Sequence, residues 1–331
     1  MSDLVLVTGA TGFVGSAVAR ALLARGHRLR LLVRPRGDRR NIGGLEAELV
    51  EGDLRDPASL ARAVRGCGAV YHVAADYRIW VPDPQAMLAA NVAGTRALML
   101  AAGEAGVGRI VYCSSVAALG LTGDTRPADE TTPVSEDSVV GIYKKSKFRA
   151  ERAVLDLVAQ GLPAVIVNPA MPVGPRDIKP TPTGQMIRDA ARGRMPAYVE
   201  TGLCLVHVDD VAEGHVLAAE RGRIGERYIL GGENRTMREI LEMVAGVTGR
   251  RAPRLRLNRR VLWPLAMGCE AAARLAGIEP LVTRDHLRMA KKLMYFSSEK
   301  ARAELGYAPR PGIAAIADAV AWFAQQERLA A

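Results

Sequence analysis

The amino-acid sequence predicts a doubly wound α/β fold: a parallel sheet covered by helices on both faces, with a smaller, mainly helical C-terminal lobe. Three observations predict it. Short apolar runs rich in β-branched residues recur without polar alternation, as strands buried on both faces require. Longer alanine-rich helical stretches separate them, as crossovers between parallel strands do. A glycine-rich turn joins the first run to the first helix.

In chain order, the strand runs are "LVLVT" (4–8), "LRLLV" (29–33), "AELV" (47–50), "AVYHV" (69–73), "RIVYC" (109–113) and "AVIVN" (164–168). Helical stretches such as "SAVARALLARG" and "TRALMLAAGEAGV" lie between them. Ligand is therefore expected at the carboxyl ends of the strands. After "AVIVNPAMPVGPRD" the rhythm breaks, and the prolines and glycines of 171–205 read as loop with one helix. "RYILGG" (227–232) reads as one further strand of the sheet, 234–295 as mainly helical and basic, and "SSEKARAELGY" with "AIADAVAWFAQQ" closes the chain. Residues 1–170 are thus expected to form a nucleotide-binding core, and 171–331 mainly a substrate-binding lobe. Residues 203–232 and the C-terminal helix are expected to return to the core.

A length of 331 residues suits one large α/β domain with an appendage. The net charge of +10 suits nucleic acid, a membrane surface or an anionic small substrate. Only 5% of residues are aromatic and no stacking motif is visible, which argues against nucleic acid. Cys67, Cys113, Cys204 and Cys269 lie far apart with no C-x-x-C pair, so neither a disulfide framework nor a zinc site is expected. His207 with Asp209 and Asp210 lacks a second histidine at ligand spacing and reads as a structural turn, so no metal is expected. The chain enters a strand at once, which reads as no signal peptide. The longest apolar stretch, 261–278, is interrupted by Glu270 and Arg274 and reads as an amphipathic helix rather than a membrane span. A cytoplasmic location is expected.

"VTGATGFVGSAV" sets Gly9, Gly12 and Gly15 between strand and helix. A turn without side chains lets a pyrophosphate approach the backbone, and the helix N-terminus supplies N–H donors and a favourable dipole. This is a Rossmann-type site, with Thr11, Phe13 and Val14 completing the loop. The second strand ends "LLVRPRGDRR": Arg34 stands where NAD sites usually carry an acid, with Arg36, Arg39 and Arg40 behind it. Paired, charge-assisted bonds from Arg34 suit a ribose 2′-phosphate. NADP(H) is favoured, NAD(H) is the alternative, and Asp38 is the one competing acid. In "EGDLRD", Asp53 can accept from an adenine amino group, with Leu54 beside it. "YHVAA" brings Ala74 and Ala75 against the cofactor, and His72 reads as a structural histidine at a strand end.

"GIYKKSKFRAERAV" (141–154) places Tyr143 one helical turn before Lys147. That spacing alone leaves open whether Tyr143 is a half-buried aromatic or a proton carrier. "TGATGFVG", "GDLRD", "HVAA", "NVAGT", "CSSVAALG", "YKKSK" and "VNPAMPVGP" together resemble the extended short-chain dehydrogenases/reductases, within the NAD-dependent epimerase/dehydratase family, over essentially the whole chain. "PADETTP", "NPAMPVGPRDIKPTPTG", "VHVDDVAEGH" and "ERYILGGEN" resemble more closely the hopanoid-associated sugar epimerases, a subgroup related to dihydroflavonol 4-reductases.

The resemblance implies that Ser115 hydrogen-bonds the reacting oxygen, that Tyr143 exchanges the proton, and that Lys147 is its partner and holds the nicotinamide ribose. A cation one turn away is expected to bring the phenol down from its ordinary value near 10. Asn91 matches a residue that steadies the active-site backbone, and Asn168 and Pro169 match the turn beside the nicotinamide ring. On the substrate side, Tyr77 and Trp80 are candidates for an apolar wall, and Arg176 and Lys179 for an anionic group. "RRAPRLRLNRR" (250–260), with six arginines in eleven residues, fits a nucleotide-sugar diphosphate, an anionic lipid headgroup or a solvated face.

The expected activity is hydride transfer at a secondary alcohol, most consistent with a nucleotide-sugar or hopanoid-linked sugar epimerase. An NADPH-dependent ketone reductase is the second reading, and a nucleotide-binding regulator the third. The partners expected are a small-molecule substrate and a second copy of the chain in a homodimer. Peripheral membrane contact is compatible with the sequence, and nucleic acid is not expected.

Overall fold

The computed structural model describes residues 3–78, 81, 83–276 and 283–330. The chain runs β1 (Leu4–Thr8), α1 (Phe13–Ala24), β2 (Arg28–Val33), β3 (Glu48–Glu51), α2 (Pro57–Val64), β4 (Ala69–His72), α3 (Pro84–Leu88), α4 (Gly94–Glu104) and β5 (Arg109–Cys113). It continues with α5 (Ile142–Val158), β6 (Ala164–Pro169), β7 (Met171–Val173), α6 (Pro182–Ala191), β8 (Ala197–Tyr198), β9 (Gly202–His207), α7 (Val208–Arg221) and β10 (Arg227–Leu230). The remainder is β11 (Glu233–Thr236), α8 (Met237–Thr248), β12 (Leu255–Arg256), α9 (Trp263–Ala276), α10 (Arg284–Met289), β13 (Leu293–Met294), α11 (Glu299–Leu305) and α12 (Gly312–Ala330).

Seven parallel strands form the main sheet in the order β10-β6-β5-β4-β1-β2-β3. Connections reverse direction between β1 and β4, and the crevice at that switch point is where such sheets bind ligand. Successive strand residues point to opposite faces. Val5, Val7, Leu31, Val111 and Val167 therefore pack with α1 and α7, whereas Leu6, Leu32, Val70, Ile110 and Ile166 pack with α2, α4 and α5. Every strand read from the sequence for this sheet is present, most within a residue, and that of "RYILGG" ends two residues early, at Leu230.

The lobe departs from expectation. Residues 171–205 were expected to be loop around one helix; they contain that helix, α6, but also β7, β8 and the start of β9. In a second sheet β9 pairs antiparallel with β11 and parallel with β7 and β13. Strand β9 is buried on both sides: Cys204 and Val206 join the main core, while Leu203 and Leu205 face a third cluster with Ile240 and Val244 of α8. The C-terminal helix does not return to the main core. Ala315, Ile316, Ala319 and Phe323 of α12 pack into that third cluster, against α6, α8 and β9. Residues 208–221 and 227–230, as α7 and β10, do rejoin the main core.

Residues 84–104 form one continuous helical run, long and apolar enough by length and composition to cross a membrane. Among the described residues this run is the one that passes that test. It is built into the α/β domain, where Met87, Leu98, Met99 and Ala102 are fully buried and α4 packs on α2 and α5. A π-helical turn at Ala89–Ala93 interrupts it, an irregularity frequent at functional sites, and Asn91 sits in that turn.

Candidate active site

The carboxyl ends of β1, β4, β5 and β6 meet the N-termini of α1 and α5, and the glycine turn closes one side. Gly9 adopts φ +75°, a left-handed conformation, and a Cβ there would lie 2.6 Å from the Ala74 backbone nitrogen. A Cβ on Gly15 would lie 2.1 Å from the Gly9 carbonyl oxygen, so the first turn of α1 is pressed onto the loop that precedes it. Gly12 occupies the N-cap of α1 without a side-chain cap, which leaves the first N–H groups of the helix as donors for an anion. Asn41, which the sequence reading missed, donates from Nδ2 to the Thr11 carbonyl at 3.2 Å and braces the turn from the loop after β2. The sequence marks it only as a polar residue before an apolar one.

Beside this turn, the His72 ring links Thr8 Oγ1 (2.7 Å) to Thr95 Oγ1 (2.9 Å), and burial depresses its pKa to about 3. It is a neutral strut, as expected. The Ala74 N–H donates to Thr8 Oγ1, and the Asp76 N–H donates to Asn91 Oδ1 at 2.7 Å. Asn91 Nδ2 in turn donates to the Asp76 carbonyl and to Ser146 Oγ, and Ser146 Oγ donates to the Tyr143 carbonyl. Asn91 thus ties the segment after β4 to the helix that carries Tyr143.

The Ser115 hydroxyl lies within electrostatic reach of the Tyr143 phenol. The Ala117 N–H donates to Ser115 Oγ at 3.1 Å, which leaves the serine proton available to an oxygen in front of it. Burial pushes the Tyr143 phenol up to about 12, against the opposing pull of Ser115. The expected lowering by Lys147 is corrected here. Lys147 Nζ donates to the Cys113 carbonyl at 2.8 Å and lies 5.3 Å from the Tyr112 ring centroid, so its charge is taken up by the end of β5. Burial also lowers the Lys147 pKa.

One further turn along α5, Glu151 is 3% exposed and accepts from Asn168 Nδ2 at 2.7 Å. Asn168 Nδ2 also donates to the Ser115 carbonyl, at 3.0 Å. Asn168 is fully covered by protein within β6, and Pro169 is buried beside it. The expected contact of Asn168 with a nicotinamide ring therefore gives way to a bracing role behind Ser115. Glu151 escaped the sequence reading, although Tyr143, Lys147 and Glu151 recur at the i, i+4, i+8 spacing of one helix face.

At the other end of the cleft, Arg34 leads a tight turn in which Arg36 takes a left-handed φ of 58°. Arg39 is paired with Glu51 (2.7 Å) and Arg40 with Asp38 (2.7 Å). Asp38, the competing acid, is thus engaged, whereas Arg34 has no carboxylate in ion-pair contact among the described residues. Asp53 pairs with Arg55 at 2.8 Å, which holds its carboxyl down at about 2, with Arg34 also acting on it. A side chain on Gly94 would strike Leu54, so Leu54 is pressed against the start of α4.

The proposed substrate residues separate. Arg176 is ion-paired with Asp209 at the N-terminus of α7 and lies near Arg20. Lys179 acts on Asp38, at the adenosine end of the cleft. Arg176 is thus not the free cation expected to meet an anionic group, whereas Lys179 has no carboxylate in ion-pair contact among the described residues. Tyr77 is 40% exposed, and its phenol is within electrostatic reach of Asp177 and Asp76. Trp80 lies outside the described residues. His207 caps α7, accepting the Asp209 N–H on Nδ1, and its Nε2 meets Asp318. That is the structural turn expected of it.

Asp177 sits 2% exposed under the Tyr77 side and accepts from Thr181 N and Oγ1 at 2.9–3.0 Å. Burial raises its pKa to about 6 from the ordinary 3.8. The folded state therefore holds the extra proton between those values, so stability falls as pH rises through that window. Above it a penalty of about 1–3 kcal/mol persists. Asp177→Asn keeps an oxygen for the Thr181 N–H and removes the charge. We expect a higher urea midpoint than wild type at about pH 7.5, the gain vanishing at about pH 4. An equal midpoint difference at both pH values would show that the carboxyl is not strained by burial.

Set beside known proteins, residues 5–231 match the family model of the NAD dependent epimerase/dehydratase family. A protein of Synechocystis sp. that bears a dihydroflavonol 4-reductase name is 44% identical over 330 residues, covering 98% of this chain and 95% of that protein. The crystal structure of gox2253 is 65% identical with a TM-score of 0.89, covering 98% of this chain and 99% of the other. That of a nucleoside-diphosphate-sugar epimerase from Pseudomonas aeruginosa is 30% identical with a TM-score of 0.78, covering 98% of each.

Proposed function

The chain belongs to the NAD dependent epimerase/dehydratase family of extended short-chain dehydrogenases/reductases, and on that premise we propose that it reduces a ketone to a secondary alcohol with NADP(H). The observation that carries this reading is Arg34 at the end of β2, which has no carboxylate in ion-pair contact among the described residues, with Asp38 engaged by Arg40. A free guanidinium there suits a 2′-phosphate, and the phosphorylated nicotinamide is the usual reductant. The dihydroflavonol 4-reductase name of the Synechocystis relative supports the same direction.

The residues fit such a cofactor. The Gly9–Gly15 turn offers backbone donors to a pyrophosphate, and Arg34 and Asp53 flank the adenosine end. When bound, the nicotinamide supplies the hydride. Ser115 holds the substrate oxygen by its hydroxyl, and Tyr143, a phenol that keeps its proton across the neutral range, donates it to that oxygen. Lys147, anchored at the Cys113 carbonyl one turn behind Tyr143, would hold the ribose.

Arg34→Ala is expected to weaken NADPH binding about ten- to a hundredfold, the worth of one charge-assisted contact of roughly 1.5–3 kcal/mol, with NADH binding nearly unchanged. Calorimetry on both nucleotides measures this. Equal affinities for NADPH and NADH in the wild type would remove the basis of the reductive reading.

Sugar epimerisation is the second reading, supported by the Pseudomonas aeruginosa neighbour and by the resemblance to hopanoid-associated sugar epimerases. Ser115, Tyr143 and Lys147 serve it equally, because the proton and hydride steps are the same in kind. A panel of ketones and nucleotide-sugars separates the two. Stoichiometric loss of NADPH absorbance with a ketone supports reduction. An inverted sugar formed with no net absorbance change overturns it in favour of epimerisation.

A further inference from the structure

We propose that the outer face of α9 and the arginine-rich segment before it form a docking surface for an anionic lipid membrane. The observation is an exposed apolar strip set among unpaired cations. Leu255 (59%), Val261 (76%), Leu265 (54%) and Met267 (51%) are four of the most exposed large apolar side chains described. In α9 the buried residues Ala266, Glu270 and Ala273 follow the spacing of one helix face. The opposite face, with Pro264, Leu265, Gly268 and Ala272, is exposed and carries no charge. The expected amphipathic helix is thus inverted: its one acid, Glu270, points inward to Arg284, and its apolar side points out.

Around this strip cations predominate, with Glu200 beside Arg256, Arg259 and Arg260 and with Asp285 paired to Arg288. No acidic residue occurs between Glu242 and Glu270, a span that holds Arg250, Arg251, Arg254, Arg256, Arg259 and Arg260. None of these six has a carboxylate partner among the described residues, although ion pairs are common elsewhere on this surface. A cleft of about 460 Å³ beside the strip is lined by Arg259, Arg260, Trp263, Arg288 and Lys291. Arg288 lies over the Trp263 ring at 5.7 Å.

Charge complementarity selects the occupant. A solvated basic face has no use for exposed valine, leucine and methionine grouped within 261–267. A second copy of the chain in a two-fold dimer would set the same cations against themselves. An anionic bilayer accepts both features, apolar side chains entering the acyl boundary while arginines meet headgroup phosphates. The surface also belongs to the lobe that covers the catalytic helix, because Asp285 of α10 lies against Gly141, two residues before Tyr143. An apolar substrate held in the bilayer would be presented on the active-site side.

The test is co-sedimentation of the full chain with phosphatidylcholine vesicles and with equimolar phosphatidylcholine–phosphatidylglycerol vesicles. Binding to the mixed vesicles should be at least about tenfold tighter and should weaken steeply with salt. Leu265→Glu with Met267→Glu should reduce it about tenfold or more, with the unfolding midpoint and NADPH affinity unchanged. Val261→Glu, outside the helix, provides the same test without altering α9. Equal binding to both vesicle types, or apolar-face variants that bind as wild type does, would overturn the proposal. So would full displacement by millimolar inorganic phosphate, which would mark a soluble-anion site. Loss of a vesicle-free dimer in the double variant would assign the face to a second copy and would overturn it as well.

Discussion

Tyr143→Phe is expected to lower kcat/KM for ketone reduction by about 10²–10⁴-fold, the usual worth of a positioned proton donor, while NADPH affinity stays within about threefold. Phenylalanine keeps the ring and its burial on α5, so the helix and the Lys147 contact with the Cys113 carbonyl remain. What disappears is the hydroxyl on which Ser115 acts. Ser115 still offers a hydrogen bond to the substrate oxygen, but a bond without proton delivery leaves an alkoxide forming beside a phenyl ring. The pH dependence gives a second readout. With the phenol held up to about 12 by burial, wild-type reduction should persist through neutral pH and decline only in the alkaline range as the donor loses its proton. Steady-state turnover of the variant within about tenfold of wild type would remove Tyr143 from the chemistry.

The parts legible in the sequence are those fixed by local pattern. Strands β1, β2, β4, β5 and β6 are buried on both faces, so each reads as an unbroken apolar run bounded by helix-forming stretches. The second sheet is not legible, because β7 is three residues with a central proline and β13 has two, and the separate β8–β12 pair has two residues in each strand. Such strands have no period to read; only pairing, of β7 and β13 with β9 and of β8 with β12, makes them strands. The C-terminal helix was read correctly as a helix and assigned to the wrong core, since amphipathicity gives a face and not its partner.

At the site, the residue types were legible and their directions were not. Ser115, Tyr143 and Asn91 come together as their motifs imply. Lys147 has the right spacing, yet whether its ammonium turns to the phenol or to the Cys113 carbonyl is a matter of rotamer and burial. Arg176 reads as a free cation because its partner, Asp209, is distant from it in sequence. Charge pairing across such separations leaves no local trace.

The largest structural effect is expected at Gly15. A Cβ there must sit 2.1 Å from the Gly9 carbonyl oxygen, and the atoms it meets are backbone, which cannot swing aside as a side-chain tip can. Gly15→Ala therefore has to part α1 from its own loop by more than an ångström, carrying away the helix N–H groups that face a pyrophosphate. The loop has little room to follow, because Gly9 is already in contact with the Ala74 backbone. We expect NADPH affinity to fall at least about a hundredfold, as loss of several donors of roughly 1 kcal/mol each implies. The same geometry predicts an order of severity: Gly12→Ala, whose Cβ would stand 3.2 Å from the Gly9 oxygen, should be mild, and Gly26→Ala, open to solvent but at φ +80°, should alter stability and not binding. Fluorescence titration with NADPH, with circular dichroism to establish folding, measures the series. A folded Gly15→Ala protein that binds NADPH within about threefold of wild type would show that pyrophosphate recognition does not depend on this contact.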